Sequence, residues 1–137
     1  NIGQVLERAL PYFDYIAPMV YPSHYPPKFN GWPDPNTRPY EIVKYSIDQA
    51  IRRTLATTTI ISASPFKLIA STTPKLYTKP SYSQLKLRPW LQDFDYPVTY
   101  DVDDVRAQKE AVYDAGLSSW MMWNPENIYT KEALDKE

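Results

Sequence analysis

Three apolar segments of the chain each end in polar or aromatic side chains that could contact a polar ligand. Aromatic rings stack on the apolar faces of sugar rings, and amides and carboxylates hydrogen-bond their hydroxyl groups. The carboxyl ends of parallel strands meet at the working edge of an α/β fold, so these three ends are expected to lie together. In chain order the residues are Tyr21, His24, Gln92, Asp93, Trp123 and Asn124.

The second of these segments, LRPWLQDF, has the alternation of a strand with two unlike faces. Leu87 and Leu91 occupy one side of the alternation. The other side carries Arg88, Trp90 and Gln92. Such a face either lines a site or belongs to a half-exposed strand with one side in solvent. We assign Trp90 to the predicted binding site and Arg88 to structure, because a buried Arg88 needs an acidic partner.

Helical and strand patterns alternate along the chain. Runs with a helical period are separated by apolar runs of strand length, and this order predicts right-handed crossovers and a parallel sheet. The continuous apolarity of the first strand indicates burial on both faces. The predicted helices cover 2–10, Pro39–Leu55 and about 102–115, with another after Thr130, and the predicted strands cover Tyr15–Pro22, 87–94 and Ser118–Asn124.

Local signals mark where these elements begin and end. Pro11 ends the first helix, because the residue before a proline is pushed out of the helical region. Pro39 suits a first helical position, Asp101 an N-cap, and Gly116 the position after a helix end. Residues 57–86 show no clear period and are predicted to be a partly ordered insertion.

Composition excludes several classes of function. The chain has 137 residues, a net charge of -1 and no basic block, which offers nothing for nucleic acid. There is no cysteine and a single histidine, so no metal site is expected. No apolar run reaches the length of a membrane span, and the three glycines form no phosphate loop, so no cofactor is expected.

Three strands do not close a barrel. If the parent fold is an eight-stranded (β/α) barrel, these strands are its last three. A small open α/β sheet is the alternative. Because the sequence starts at Asn1 rather than at Met, and a helix pattern starts at once, we expect a piece of a longer chain; a processed mature terminus also fits.

Several strings, among them YIAPMVYPSHY, LRPWLQDF and SSWMMWNPENIY, resemble the carboxyl-terminal part of a family of predicted glycoside hydrolases. That family was long catalogued as a domain of unknown function, similar to the α-amylase-like barrels. The likeness covers most of residues 2–134 and is weakest over 57–86. It implies one partial TIM-barrel domain over 1–137 that supplies the sixth to eighth strands.

The resemblance also implies roles for individual residues. Asp93 ends the seventh strand, where α-amylase-like enzymes carry a transition-state-stabilising carboxylate, so it is our catalytic candidate. Substrate contacts are predicted for Tyr21, His24, Trp90, Gln92, Trp123 and Asn124. The other carboxylates of a catalytic set come from strands that this chain lacks. The partners implied are a carbohydrate and the upstream remainder of the barrel. A location in the cell envelope or outside the cell is a weaker implication.

Three hypotheses remain open at this point. The chain belongs to a glycoside hydrolase of unidentified substrate, to a non-catalytic carbohydrate-binding barrel, or to a small α/β domain with a structural or protein-binding role. The first two differ in whether the missing strands end in Asp or Glu. The third predicts that the 137 residues fold alone as a monomer, whereas a barrel fragment exposes a sheet edge and associates.

Overall fold

The computed structural model describes residues 4–62, 66–70 and 74–134 as a mixed α/β structure. Its helices are α1 (Leu6–Ala9), α2 (Pro39–Leu55) and α3 (Val102–Asp114). Its strands are β1 (Thr58–Thr59), β2 (Lys67–Ala70), β3 (Leu76–Thr78), β4 (Trp90–Gln92) and β5 (Met121–Trp123). Short 3₁₀ helices cover Pro22–His24, Phe29–Gly31, Pro35–Thr37, Gln84–Lys86 and Lys131–Ala133.

Strands β4 and β5 are parallel, as the alternation of α and β patterns predicts, with Gln92 opposite Trp123. The first predicted strand runs parallel to β4 on its other side, but it forms only isolated bridges, at Ile16 and Met19. The reason is Pro18. Its carbonyl accepts a hydrogen bond from Trp90 N at 2.9 Å, but it has no N–H to continue the ladder.

Helices α2 and α3 pack against each other and cover one face of these three extended segments. The apolar side chains between helices and strands form one core, in which Leu87 and Leu91 are fully buried as their alternation predicts. This burial is the main stabilising contribution, at about 25 cal/mol per Å² of apolar surface removed from water. The core consists of Val20, Val43, Ile47, Ile51, Leu87, Leu91, Ala111, Val112 and Leu117.

The opposite face of the parallel segments is open, so the predicted burial of the first strand on both faces is wrong for this structure. Met19 is 62% exposed and Tyr15 55% exposed. Both lie on the side away from α2 and α3, and no described element covers them. We call this surface the open face; it consists of Tyr15, Ala17, Met19, Arg88, Trp90, Met121 and Trp123.

The segment predicted as an insertion contains a separate antiparallel sheet with the order β1-β3-β2. Thr58 and Thr59 pair with Thr78 and Tyr77, and β2 pairs with β3 through an irregularity between Leu68 and Ala70. This sheet shares no strand with β4 and β5. Whether it is an insertion in evolutionary terms stays a prediction.

The predicted helix signals agree with the structure at most positions. Helix α2 has the predicted bounds, and Asp101 caps α3. Gly116 follows α3 with φ +83°, a left-handed conformation in which glycine avoids the steric cost of a Cβ. Helix α1 is shorter than predicted, with residues 1–3 outside the described range, and the helix predicted after Thr130 is a single 3₁₀ turn.

Candidate functional site

A groove of about 790 Å³ lies at the carboxyl ends of β4 and β5. The polypeptide reaches it where each strand ends and where the 3₁₀ turn Pro22–His24 follows the first segment. The position therefore agrees with the rule that ligands bind beyond the carboxyl ends of parallel strands. The groove is lined by His24, Asp93, Phe94, Asp95, Tyr96, Tyr100, Asn124, Pro125, Glu126, Ile128 and Thr130.

Asp93 is only 3% exposed, and both oxygens of its carboxylate are hydrogen-bonded. Oδ2 accepts from the backbone N–H of Thr130 at 2.8 Å, and Oδ1 accepts from Thr130 Oγ1 at 2.7 Å. Hydrogen bonds to a carboxylate are strong because the acceptor is charged. In this conformation Asp93 therefore ties the end of β4 to the segment that precedes the last 3₁₀ turn.

Asn124 closes the same region from the end of β5. Its Nδ2 donates to the backbone oxygen of Asp93, and its Oδ1 accepts from Glu126 N at 2.8 Å. The second bond is an Asx turn, in which a side-chain oxygen replaces a backbone acceptor. Asn124 thus shapes the loop that presents Pro125 and Glu126 to the groove.

Gln92 is fully buried beneath the groove rather than exposed in it. Its Oε1 accepts from Ser23 N at 3.2 Å, and its Nε2 donates to the carbonyls of Phe94 and Tyr96 at 3.0 and 3.4 Å. Because both ends of the amide are used by protein groups, Gln92 holds loops together in this conformation and presents no free polar atom to a ligand.

Tyr21 and His24 form an aromatic cluster with Phe94 at the edge of the groove. Tyr21 contacts both rings edge-on, with centroid distances of 5.3 Å to His24 and 5.6 Å to Phe94. Burial raises the pKa of the Tyr21 hydroxyl above its ordinary value. His24 is exposed, and its Nδ1 lies 2.9 Å from Ser23 Oγ. The cluster leaves the His24 ring accessible at the groove while it restricts the position of that ring.

Trp90 and Trp123 lie on the open face and do not line the groove. Their rings meet edge to face, with centroids 6.0 Å apart. Arg88 lies on the same face with its guanidinium over the Tyr15 ring at 4.2 Å, and its Nε donates to Ser119 Oγ at 3.2 Å. Arg88 is therefore satisfied by an aromatic ring and a hydroxyl rather than by the acidic partner that burial was expected to require.

The structure therefore distributes the predicted site residues over three places. His24, Asp93 and Asn124 line the groove, Tyr21 and Gln92 are buried below it, and the two tryptophans lie on the open face. Their assignment to a functional site stays a prediction. The groove also contains residues that the sequence analysis did not select, namely Phe94, Asp95, Tyr96, Tyr100, Pro125, Glu126, Ile128 and Thr130.

Two of these unselected residues carry the groove's other carboxylates. Asp95 Oδ1 accepts from Tyr100 N at 2.8 Å, and Glu126 is exposed. Burial raises the pKa of the Tyr100 hydroxyl, which donates to the Asn36 carbonyl at 3.3 Å. Asp95 and Glu126 each follow a strand by a few residues, so a search extended beyond the strand ends into the loops would have found them.

The groove suits hydrogen bonding to a hydroxyl-rich ligand, with carboxylates, a histidine and exposed Tyr96 on its walls. Among the described residues, no group of three or more metal-binding side chains could hold an ion. No helix within the described ranges is long and apolar enough to cross a membrane.

A second cavity, of about 750 Å³, lies along the outer edge of the first parallel segment. Its walls come from α1, from α2, from the segment itself and from the loops on either side of the segment, and they include Phe13, Tyr15, Met19, Tyr25 and Arg53. The cavity continues from the open face around the sheet edge, so among the described residues neither this face nor this edge of the sheet is fully covered.

Comparison with known proteins identifies a family for this chain. A family model described as "Putative glycosyl hydrolase domain" covers residues 1–129, which is most of the chain. The search of the curated proteins found no match. The search of the solved structures found none either.

Proposed function

The chain belongs to this family of glycosyl hydrolase domains, and from that premise we propose that it forms part of a glycoside hydrolase whose sugar site includes the groove. The observation that carries the proposal is the groove itself. It combines three carboxylates, a histidine and exposed aromatic surface at the carboxyl ends of parallel strands. Its ligand in this proposal is a poly- or oligosaccharide.

We further propose that the parallel segments are the sixth to eighth strands of a (β/α)₈ barrel. The free edge of the first segment supports this. Ile16, Pro18 and Val20 use their backbone groups toward β4, whereas Ala17 and Met19 make no backbone hydrogen bond within the described residues. Such an edge pairs readily with another strand. The partner in this proposal is the strand that precedes residue 15 in the intact barrel, and the open face is then the barrel interior.

Asp93 remains the catalytic candidate in this proposal, as a stabiliser of positive charge in the transition state. Because Asp93 is buried and Thr130 hydrogen-bonds both of its oxygens, Asp93 contacts a sugar only when the Thr130 segment moves away. The proposal therefore includes displacement of Thr130 on substrate binding. Nucleophile and acid roles belong to carboxylates outside this chain.

Hydrolysis of a panel of oligosaccharides by the intact protein and by two variants tests these roles. We expect Asp93→Asn to lower kcat by about 100-fold or more and Thr130→Val, which keeps the charge, to lower it less than tenfold. Equal losses in both variants, with equal losses of thermal stability, would assign Asp93 to anchoring alone. Unchanged turnover in Asp93→Asn would remove it from the catalytic set.

A non-catalytic carbohydrate-binding barrel is the second candidate, and the full engagement of Asp93 by Thr130 favours it. In that case oligosaccharides bind to the intact protein without turnover. Titration calorimetry beside product analysis separates the two candidates: binding without any product supports the second, and product formation that depends on the groove residues supports the first.

A further inference from the structure

The parallel ladder between the first segment and β4 stops abruptly at the groove, and a glutamine from α3 completes it. Arg88 N and Trp90 N donate to alternate carbonyls of the first segment, and Val20 N donates to Trp90 O at 3.2 Å. The next two hydrogen bonds of this ladder would join Gln92 N to Val20 O and the N–H of residue 22 to Gln92 O. Gln92 N donates to another partner, and residue 22 is a proline, which has no N–H. At Pro22 the chain also turns into a 3₁₀ helix and leaves the sheet.

Gln108 supplies the backbone of Gln92 with the two hydrogen-bond partners that the first segment does not provide. Its Oε1 accepts from Gln92 N at 2.9 Å, and its Nε2 donates to Gln92 O at 2.8 Å. A side-chain amide presents its carbonyl oxygen and one of its two N–H groups on the same side, so it can pair with the N–H and C=O of a single strand residue. Gln108 and Gln92 are both fully buried, so neither amide has water as an alternative partner.

The side chain of Gln92 links this part of β4 to the walls of the groove. Its amide joins Ser23, next to His24, with Phe94 and Tyr96 on the loop after β4. The 3₁₀ turn that contains His24 and the loop after β4 form two walls of the groove. The ring of His24 contacts the rings of Tyr21 and Phe94 edge to face. Through Gln108 and Gln92, α3 therefore fixes the position of His24 relative to the loop after β4.

We propose that Gln108 and Gln92 are positioning residues that hold His24 and the 94–96 loop at the spacing a sugar requires. This role rests on the proposed function of the groove, and it assigns to α3 a part in the site although Gln108 itself lines no part of the groove. Loss of the pair is expected to separate the two walls while the core under α2 and α3 persists.

Gln108→Met in the intact protein tests the proposal, because methionine keeps the length of the side chain and removes both hydrogen bonds to Gln92, together with a longer one of 3.4 Å to the carbonyl of Asp104 in α3 itself. The first readout is the His24 Cε1–H resonance, assigned by comparison with His24→Gln, at one fixed pH. The second is kcat on a panel of 4-nitrophenyl glycosides. Gln84→Met is the matched control, since Gln84 Nε2 also donates to a backbone carbonyl, that of Gly116 at 2.8 Å, away from the groove.

We expect Gln108→Met to move the His24 resonance and to lower kcat by about 10- to 100-fold, the order expected when reacting groups are misplaced by roughly 1 Å. The control leaves both unchanged. An unmoved His24 resonance in Gln108→Met, whatever its thermal stability, overturns the proposal, and so does an equal shift in Gln84→Met.

Two further outcomes remain decisive. If Gln108→Met does not fold, Gln108→Glu replaces it: the carboxylate still accepts from Gln92 N but gives Gln92 O no donor, so the His24 resonance must move from its position in the unaltered protein or the proposal fails. If the unaltered protein hydrolyses none of the glycosides, the proposed function fails on these substrates, and the His24 resonance alone decides the positioning role.

Discussion

Glu7 illustrates at the residue scale how a buried charge is satisfied in this chain. It is 4% exposed, and Arg53 of α2 holds it through two hydrogen bonds of 2.7 and 2.6 Å. Burial raises the pKa of the Glu7 carboxyl, but the hydrogen bonds and charge of Arg53 outweigh burial and hold it below its ordinary value of 4.5. The pair fastens α1 to α2 beside the free sheet edge.

Glu7→Gln should therefore destabilise the protein at neutral pH by about 1.5–3 kcal/mol, the range for a hydrogen bond to a charged group. Because the folded-state pKa is depressed, this contribution is present above pH 4.5 and is lost as pH falls through the lower folded value. Urea unfolding between pH 7 and pH 3 measures it. Glu41→Gln is the control, since its pair with Arg38 is long and exposed. A Glu7→Gln protein that loses stability with acid as steeply as the unaltered protein contradicts the assignment.

At the scale of elements, the start of α3 is fixed by its own side chains. Asp101 Oδ1 accepts from the N–H groups of Asp103 and Asp104 at 2.9 and 3.1 Å, and Asp104 Oδ2 accepts from Asp101 N at 3.2 Å. This is a capping box, which satisfies the first N–H groups of the helix. Burial raises the pKa of the Asp104 carboxyl above its ordinary value.

Asp101→Ala is expected to lower the free energy of unfolding by about 1 kcal/mol, up to 2, because two backbone donors lose their acceptor. Asp103→Ala is the matched control: it also removes one first-turn carboxylate, but one that caps no N–H. Thermal or urea unfolding of both variants makes the comparison. Equal losses would show that the effect is the general attraction between acidic residues and the helix N-terminus.

The sequence predicts these helices well because their signals are local. The cap at Asp101, the proline at the start of α2 and the glycine after α3 act on their own neighbours. The first strand is harder to predict from sequence, because Pro18 permits isolated bridges to β4 but no continuous ladder. The polarity of Gln92 is visible in sequence and predicts a ligand contact. Its hydrogen-bond partners Ser23 and Gln108 lie 69 and 16 residues away, so no local pattern reveals them. Asp93 and Thr130 are likewise 37 residues apart.

At the scale of the whole molecule, the helices within the described ranges cover the parallel segments on one face and leave the other face open. Met19 and Trp123 on the open face are 62% and 44% exposed, and the cavity beside Ala17 extends this surface around the sheet edge. An apolar face and an unpaired edge together are features that soluble domains normally cover. In the barrel proposal, the same missing strands cover both the open face and the unpaired edge. In a self-contained α/β domain, both stay uncovered.

The isolated 137-residue chain should consequently self-associate, because none of the residues that the structure describes covers its open face and edge. Analytical ultracentrifugation over a concentration series measures this, and we expect Met19→Lys to shift the equilibrium toward monomer. Ile60→Lys is the control, since Ile60 is 63% exposed but lies beside the small antiparallel sheet, away from the open face. If both substitutions reduce association equally, general hydrophobicity rather than the open face drives it. A chain that stays monomeric at all concentrations and unfolds in one cooperative transition would favour the self-contained domain over the barrel fragment.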